Sequence, residues 1–324
     1  SCDQEALNIR CGRTRTTTAS VRDIFLNKQK NRISKLPKSN FKTHLPLIVG
    51  TILWLIALIF ASIYDLDISL AVADPMSALG RVLEIVGEVP AILFTSFNFI
   101  LMSAYFAALP EQNRKSRALF GTTLFLAIGT AYYTTIRTFI YIADYRSDLT
   151  GDDISVGIPE ILISAVICAA VVAAMCFAAR RLGYERLTRV YSTAFACVKA
   201  AVTTLIVMWL IKLVWGRIRF CQLEGDLSRF TPWYLPQGIT GYFSFPSGHT
   251  ANAAVIFTSA YYLNFLPKNK RPQRAAAYIL LALWVILLAA SRVLVGAHYL
   301  SDVLFGAAIT FVIVYFWRPK CQAL

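Results

Sequence analysis

Runs of about 17 to 25 mostly apolar residues recur eight times along this chain, and no other feature constrains its fold as tightly. A hydrocarbon layer of about 30 Å takes about 20 helical residues to cross, and within it each segment must satisfy its own backbone N–H and C=O groups. The fold class expected is therefore all-α, a polytopic helical membrane protein. The expected spans run approximately from Leu45 to Tyr64, Val89 to Leu109, Ala118 to Ile142, Ile158 to Ala179, Ser192 to Ile211, Thr250 to Leu266, Ala275 to Ser291, and Tyr299 to Trp317. With 57% of 324 residues hydrophobic and 15% charged, the chain is too apolar for an ordinary soluble domain.

Charge sorts the connections between these spans. A net charge of +14 could suit a nucleic-acid partner, but the cations lie in an N-terminal tail and in short gaps, so the expected partner is the bilayer and not nucleic acid. Basic clusters alternate with acidic ones: the tail, then Arg114 to Arg117, Arg180 to Arg189, Lys268 to Arg274, and Arg318 with Lys320 fall on one side. Asp65, Asp67, Asp74, Glu84 and Glu88, then Asp144, Asp148, Asp152 and Asp153, fall on the other. Positive connections are retained in the cytoplasm, so both termini are expected there. Residues 1–44 read as a basic cytoplasmic tail, too polar to bury a core, which enforces topology or attracts anionic headgroups; residues 45–324 read as the membrane domain. The first apolar run comes too late for a cleaved signal peptide. Seven cysteines show no zinc-like spacing, and this topology leaves them no obvious disulfide pair.

Three short elements carry chemistry. Lys212 and Arg219 lie seven residues apart after the fifth span, about 10 Å of helical rise, so both are expected on one helix face with Arg217 nearby. They could converge on an anion, or merely snorkel at a span end. Phe245-Pro246-Ser247-Gly248-His249-Thr250 sits where a loop enters the sixth span. Unpaired N–H groups at a helix start, a glycine and the Ser247 hydroxyl suit an anion, although an ordinary junction with a structural histidine reads the same way. Ser291-Arg292, His298 and Asp302 straddle the last two spans. At i and i+4, Asp302 can hold one nitrogen of His298 and leave the other free to attack, or it can simply cap a helix. The charge-derived topology puts all three elements on the non-cytoplasmic side, and two of only three histidines are His249 and His298.

In order and spacing these elements resemble the signature of the type 2 phosphatidic acid phosphatase superfamily, Lys-x6-Arg-Pro, Pro-Ser-Gly-His and Ser-Arg-x5-His-x3-Asp. Phe220 stands where that pattern has proline, a departure expected to alter the local backbone and leave the chemistry intact. The resemblance covers about Lys212 to Asp302. It implies a six-helix core, here the last six spans, preceded by two additional helices of no assigned role. It implies a lipid phosphatase in which His298 attacks phosphorus, Asp302 orients it, and His249 protonates the departing oxygen. Lys212, Arg219, Ser247, Gly248 and Arg292 would bind the phosphoryl group, with no metal or cofactor required. Undecaprenyl pyrophosphate, phosphatidic acid and phosphatidylglycerol phosphate are the substrate candidates it suggests. A phosphotransferase would use the same intermediate with a lipid hydroxyl as acceptor. An anion transporter would need polar residues along a whole path, whereas here they cluster at one end.

Outside the motifs, Phe230, Trp233, Tyr234, Tyr242, Phe243 and Phe245 suggest either a loop at the membrane interface or a lining for lipid entry. Arg137 and Lys199 are costly within spans and could mark a polar cavity; Lys199 is expected to snorkel, whereas Arg137 could contact a headgroup. Oligomeric state is not readable from these residues.

Overall fold

The computed structural model describes residues 41–267 and 269–319. The basic tail over residues 1–40, Lys268, Lys320 and Cys321 lie outside the described residues. Among those described, helices run over Phe41–Val72 (α1), Ala78–Val86 (α2), Val89–Ala107 (α3), Arg114–Thr150 (α4), Ile158–Arg180 (α5), Gly183–Trp215 (α6), Gly248–Ala254 (α7), Arg271–Leu294 (α8) and Leu300–Trp317 (α9). The described residues 41–53, the first stretch of α1, belong to one unit. Residues 54–324 form the other, which holds everything discussed below.

Among the described residues, seven helical segments are long and apolar enough to cross a membrane. The remaining expected span, the sixth, is built differently. It comprises the seven residues of α7 followed by eleven residues of 3-10 helix over Val255–Phe265. The 3-10 form rises about 2.0 Å per residue against 1.5 Å for the α form, so these residues reach about 32 Å, enough to cross. The second span also starts earlier than expected, because α2 and α3 form one segment interrupted at Gly87 and Glu88. Asp65, Asp67, Glu84, Asp144 and Asp148, expected in connections, lie instead within α1, α2 and α4. A carboxylate is tolerated at such depth when a cation or hydrogen-bond donor faces it, and several of these have one.

Large apolar side chains such as Phe125, Val166 and Phe316 stay exposed, as suits lipid, while small residues mediate helix contacts. Ala127, Ala131, Ala194, Ala200 and Ala251 are fully buried. The main core gathers Phe99, Ile100 and Leu101 of α3 against Ala127 of α4, Ala179 of α5 and Ala194 of α6. Polar groups in this core find partners: Ser96 Oγ donates to the Ala127 carbonyl at 2.7 Å, and the Tyr262 hydroxyl donates to Asn98 Oδ1 at 2.6 Å. Lys199 sits over the rings of Trp317 and Phe195, 4.1 and 4.8 Å from their centroids, a cation–π seat in place of simple snorkelling.

One close approach fixes the later site. The backbone of α9 meets the loop before α7 at Gly306, where an added Cβ would lie 2.5 Å from the Ser247 carbonyl oxygen. Replacing Gly306 with Ala is expected to lower unfolding stability by about 1–3 kcal/mol through overpacking. The unfolding midpoint in detergent checks this; an unchanged midpoint would contradict the contact.

Candidate active site

Helix α6 ends because Gly216 adopts φ +61°, a left-handed conformation, with the Gly238 carbonyl so near that a Cβ would lie 2.1 Å from it. Lys212 therefore lies in the last helical turn, whereas Arg219 follows in extended backbone. The shared helix face expected for this pair is not formed, because the chain turns between them. Lys212 Nζ donates to the Phe243 carbonyl at 2.5 Å, and its Cε would be 3.3 Å from a Cβ at Gly248. Phe220 opens a 3-10 turn over Phe220–Gln222, and its ring packs edge-on to Tyr299.

Arg217, expected beside the anion, is instead locked inside the protein at 1% exposure. Its Nη1 donates to Asp302 Oδ1 at 2.6 Å and to Ser301 Oγ at 2.8 Å, its Nη2 to Asp65 Oδ2 at 3.0 Å, and its Nε to the Thr231 carbonyl at 2.8 Å. Ser301 N–H donates to Asp65 Oδ1 at 2.9 Å, and the Ser301 hydroxyl bonds the other Asp65 oxygen. Burying three charges is favourable only when geometry and added hydrogen bonds offset desolvation. Here each charged group has at least two partners.

Asp302 is fully buried at the start of α9. Its Oδ2 accepts from Ser244 Oγ at 2.5 Å and from Tyr299 N–H at 3.0 Å, so it caps the helix and also faces His298. His298 precedes α9, with Nδ1 3.6 Å from Asp302 Oδ2. That is ion-pair range but longer than a hydrogen bond, and Nδ1 has no other partner. Burial pushes the His298 imidazole down to about 3, opposed by Asp302 and reinforced by Lys212 and Arg219. The ring is thus neutral at physiological pH, the form that carries a free lone pair.

Backbone bonds interlace the three motifs. Ser247 N–H donates to the Asp302 carbonyl at 2.9 Å, Ser244 N–H to the Arg217 carbonyl at 2.9 Å, and Cys221 N–H to the Gly296 carbonyl at 3.0 Å. The Arg292 carbonyl accepts from Ala297 at 3.1 Å and His298 at 3.2 Å, folding the chain back so that Arg292 and His298 are neighbours. Ser247 caps α7, accepting from Thr250 N–H at 3.3 Å, and Gly248 and His249 open that helix. His249 lies 5.4 Å, ring to ring, from Tyr141, within electrostatic reach of Arg292 and His298, and its Nε2 is buried without a partner. Arg292 donates from Nη2 to Glu84 Oε1 at 2.8 Å, while its Nε and Nη1 are buried and unpartnered. Buried guanidinium N–H groups are rarely left unpaired. An arginine presenting two of them suits bidentate recognition of a phosphoryl group.

Asp65, Glu84 and Glu88, expected only as acids of the connections, have buried partners in the structure. Glu88 accepts from Asn252, one turn after His249, at 2.8 Å, and from Arg137 at 3.2 Å. Arg137 also donates to the Tyr133 hydroxyl at 2.6 Å, so it sits in an internal polar cluster with Glu88. The signal available was the cost of a carboxylate at the edge of an apolar run, which implies a buried partner. The aromatic segment is split: Phe245 is buried and stacks on Trp215, with centroids 4.6 Å apart, whereas Tyr234 is exposed. An apolar groove of about 370 Å³ is lined by Val72, Leu79, Leu83, Leu287, Ser291 and Leu300.

Residues 193–322 match the PAP2 superfamily. Over 113 residues, 33% of this chain, it is 34% identical to phosphatidylglycerophosphatase B of Bacillus subtilis. Over 100 residues, 31% of this chain, it is 37% identical to lipid A 1-phosphatase of Rhizobium etli. The chain spans about half the length of the first relative, 54%, and 38% of the second. No solved structure gives a significant match.

The depressed His298 titration has a stability consequence with a definite sign. Its folded value of about 3 lies below the ordinary 6.5, so between these the unfolded chain binds the extra proton. Stability from this group is complete above pH 6.5 and is lost as pH falls toward 3. Between pH 7.5 and pH 5 the wild-type protein should lose about 2 kcal/mol more unfolding free energy than His298→Asn. Equal losses in detergent-solubilised samples would contradict a neutral, buried imidazole.

Proposed function

We propose that this chain, which carries a PAP2 superfamily domain over residues 193–322, is an integral-membrane phosphatase that hydrolyses a lipid phosphomonoester or pyrophosphate through a phosphohistidine. The observation that carries the reading is Arg292, buried with two unpartnered N–H groups beside a neutral His298 backed by Asp302. Both relatives' names denote phosphatases, in keeping with this reading.

In this mechanism Arg292, Arg219, Lys212, Ser247 and the Gly248 amide hold the phosphoryl oxygens. His298 Nδ1 faces Asp302, so Nε2 forms the bond to phosphorus. The P–O bond to the lipid moiety breaks, its electron pair stays on oxygen, and protonated His249 supplies the proton. Water then attacks phosphorus, passing a proton to His249, the P–N bond breaks, and phosphate leaves. Donors fixed before reaction cost no reorganisation as charge develops, and in a water-poor site each counts for more. No divalent cation takes part in these steps. The site faces the non-cytoplasmic side, with both termini cytoplasmic, in accord with the alternation of basic and acidic connections.

Purified protein offered phosphatidic acid, phosphatidylglycerol phosphate and undecaprenyl pyrophosphate in the presence of a metal chelator should release inorganic phosphate from at least one. His298→Ala should lower that rate at least about 10³-fold while preserving the folded elution profile. Turnover that needs a divalent cation, or that survives His298→Ala, would overturn the mechanism. Transfer of the phosphoryl group to a lipid hydroxyl without phosphate release would assign a phosphotransferase.

A further inference from the structure

Helix α1 lies outside the stretch that matches the PAP2 superfamily, yet it places a carboxylate in direct contact with the buried core of the site. Asp65 is 3% exposed and takes Nη2 of Arg217 at 3.0 Å, while Nη1 of the same guanidinium takes Asp302 at 2.6 Å. Asp65 also receives both the N–H and the hydroxyl of Ser301, the residue immediately before Asp302. One guanidinium is thus clamped between two carboxylates, and the second of them comes from a helix to which the motifs assign nothing.

The charges decide what this arrangement does. An Arg217–Asp302 pair alone would be neutral, and the carboxylate behind His298 would have its charge cancelled by a guanidinium. With Asp65 included, the cluster carries one net negative charge beneath the imidazole. A histidine that forms a bond to phosphorus through Nε2 while keeping its Nδ1 proton gains positive charge. Stabilising that charge in a dry site requires a net anion behind the ring. We infer that Asp65 is a positioning and charge-balancing residue, which neutralises Arg217 so that Asp302 acts as a full carboxylate toward His298. It touches no substrate and works through Arg217. The inference rests on the phosphohistidine reading above.

Asp65→Asn keeps the shape and an acceptor for Arg217 but removes the charge. The expected result is a fall in kcat of about ten- to a hundredfold, with KM within about twofold. Orthovanadate, which mimics the five-coordinate transition state, should lose affinity by the same factor as kcat/KM. Inorganic phosphate, which mimics only the bound ground state, should inhibit as before, and Asp65→Glu should recover part of the rate. Unchanged kcat and unchanged orthovanadate inhibition in Asp65→Asn would overturn the inference. So would equal loss of phosphate and orthovanadate binding together with the unfolding transition, since that marks a purely structural residue. His298→Ala measured in parallel separates the two levels: if it stays active, the phosphohistidine reading fails. If it is inactive while Asp65→Asn behaves as wild type, only the role of Asp65 falls.

Discussion

The guanidinium of Arg217 is the fixed point about which the site is arranged. It lies one residue past the glycine that ends α6, so its backbone belongs to the first motif, while its side chain holds Asp302 of the third. Ser244, just before the second motif, bonds both the Arg217 carbonyl and the Asp302 carboxylate. Removing one member of such a buried cluster strands the others in a low-dielectric interior, at a cost of about 3–5 kcal/mol. Three loops from separate helices are thereby set in one register, the electrostatic preorganisation that the proposed chemistry calls for.

Fixing Arg217 and Asp302 leaves other groups free. Arg292 is tied at Nη2 by Glu84, and its remaining buried N–H groups stay open. His249 is flanked by Tyr141 and, through Asn252, by Glu88. Two cations that looked equivalent in the first motif have opposite fates, Arg217 sealed as structure and Arg219 left without an ion pair among the described residues. The segment preceding the motifs does more than anchor the chain, since α1 and α2 supply Asp65 and Glu84, which hold Arg217 and Arg292 in place.

Much of this was legible in the sequence because membrane crossing leaves a strong apolar signature, and helices form at all eight expected positions. What the pattern could not give was local geometry. A seven-residue interval from Lys212 to Arg219 looks like two helical turns until Gly216 takes the left-handed conformation. A stretch of 17 apolar residues looks like a short α-helical span, whereas Val255–Phe265 adopts the longer-reaching 3-10 form. Asp65 and Glu84 look like connection acids in the sequence because hydropathy registers the cost of a charge and not the guanidinium that offsets it. The motif residues were legible one by one; their shared dependence on Arg217 arises only from contacts 85 and 152 positions apart in the chain.

The most direct test of the account is to trap the protein during turnover with a ³²P-labelled lipid phosphate and locate the label. The account predicts a phosphoprotein stable to alkali and labile to acid, with the label on the peptide containing His298 and none in His298→Ala. Label on His249 instead, or turnover with no covalent label on rapid quenching, would contradict it.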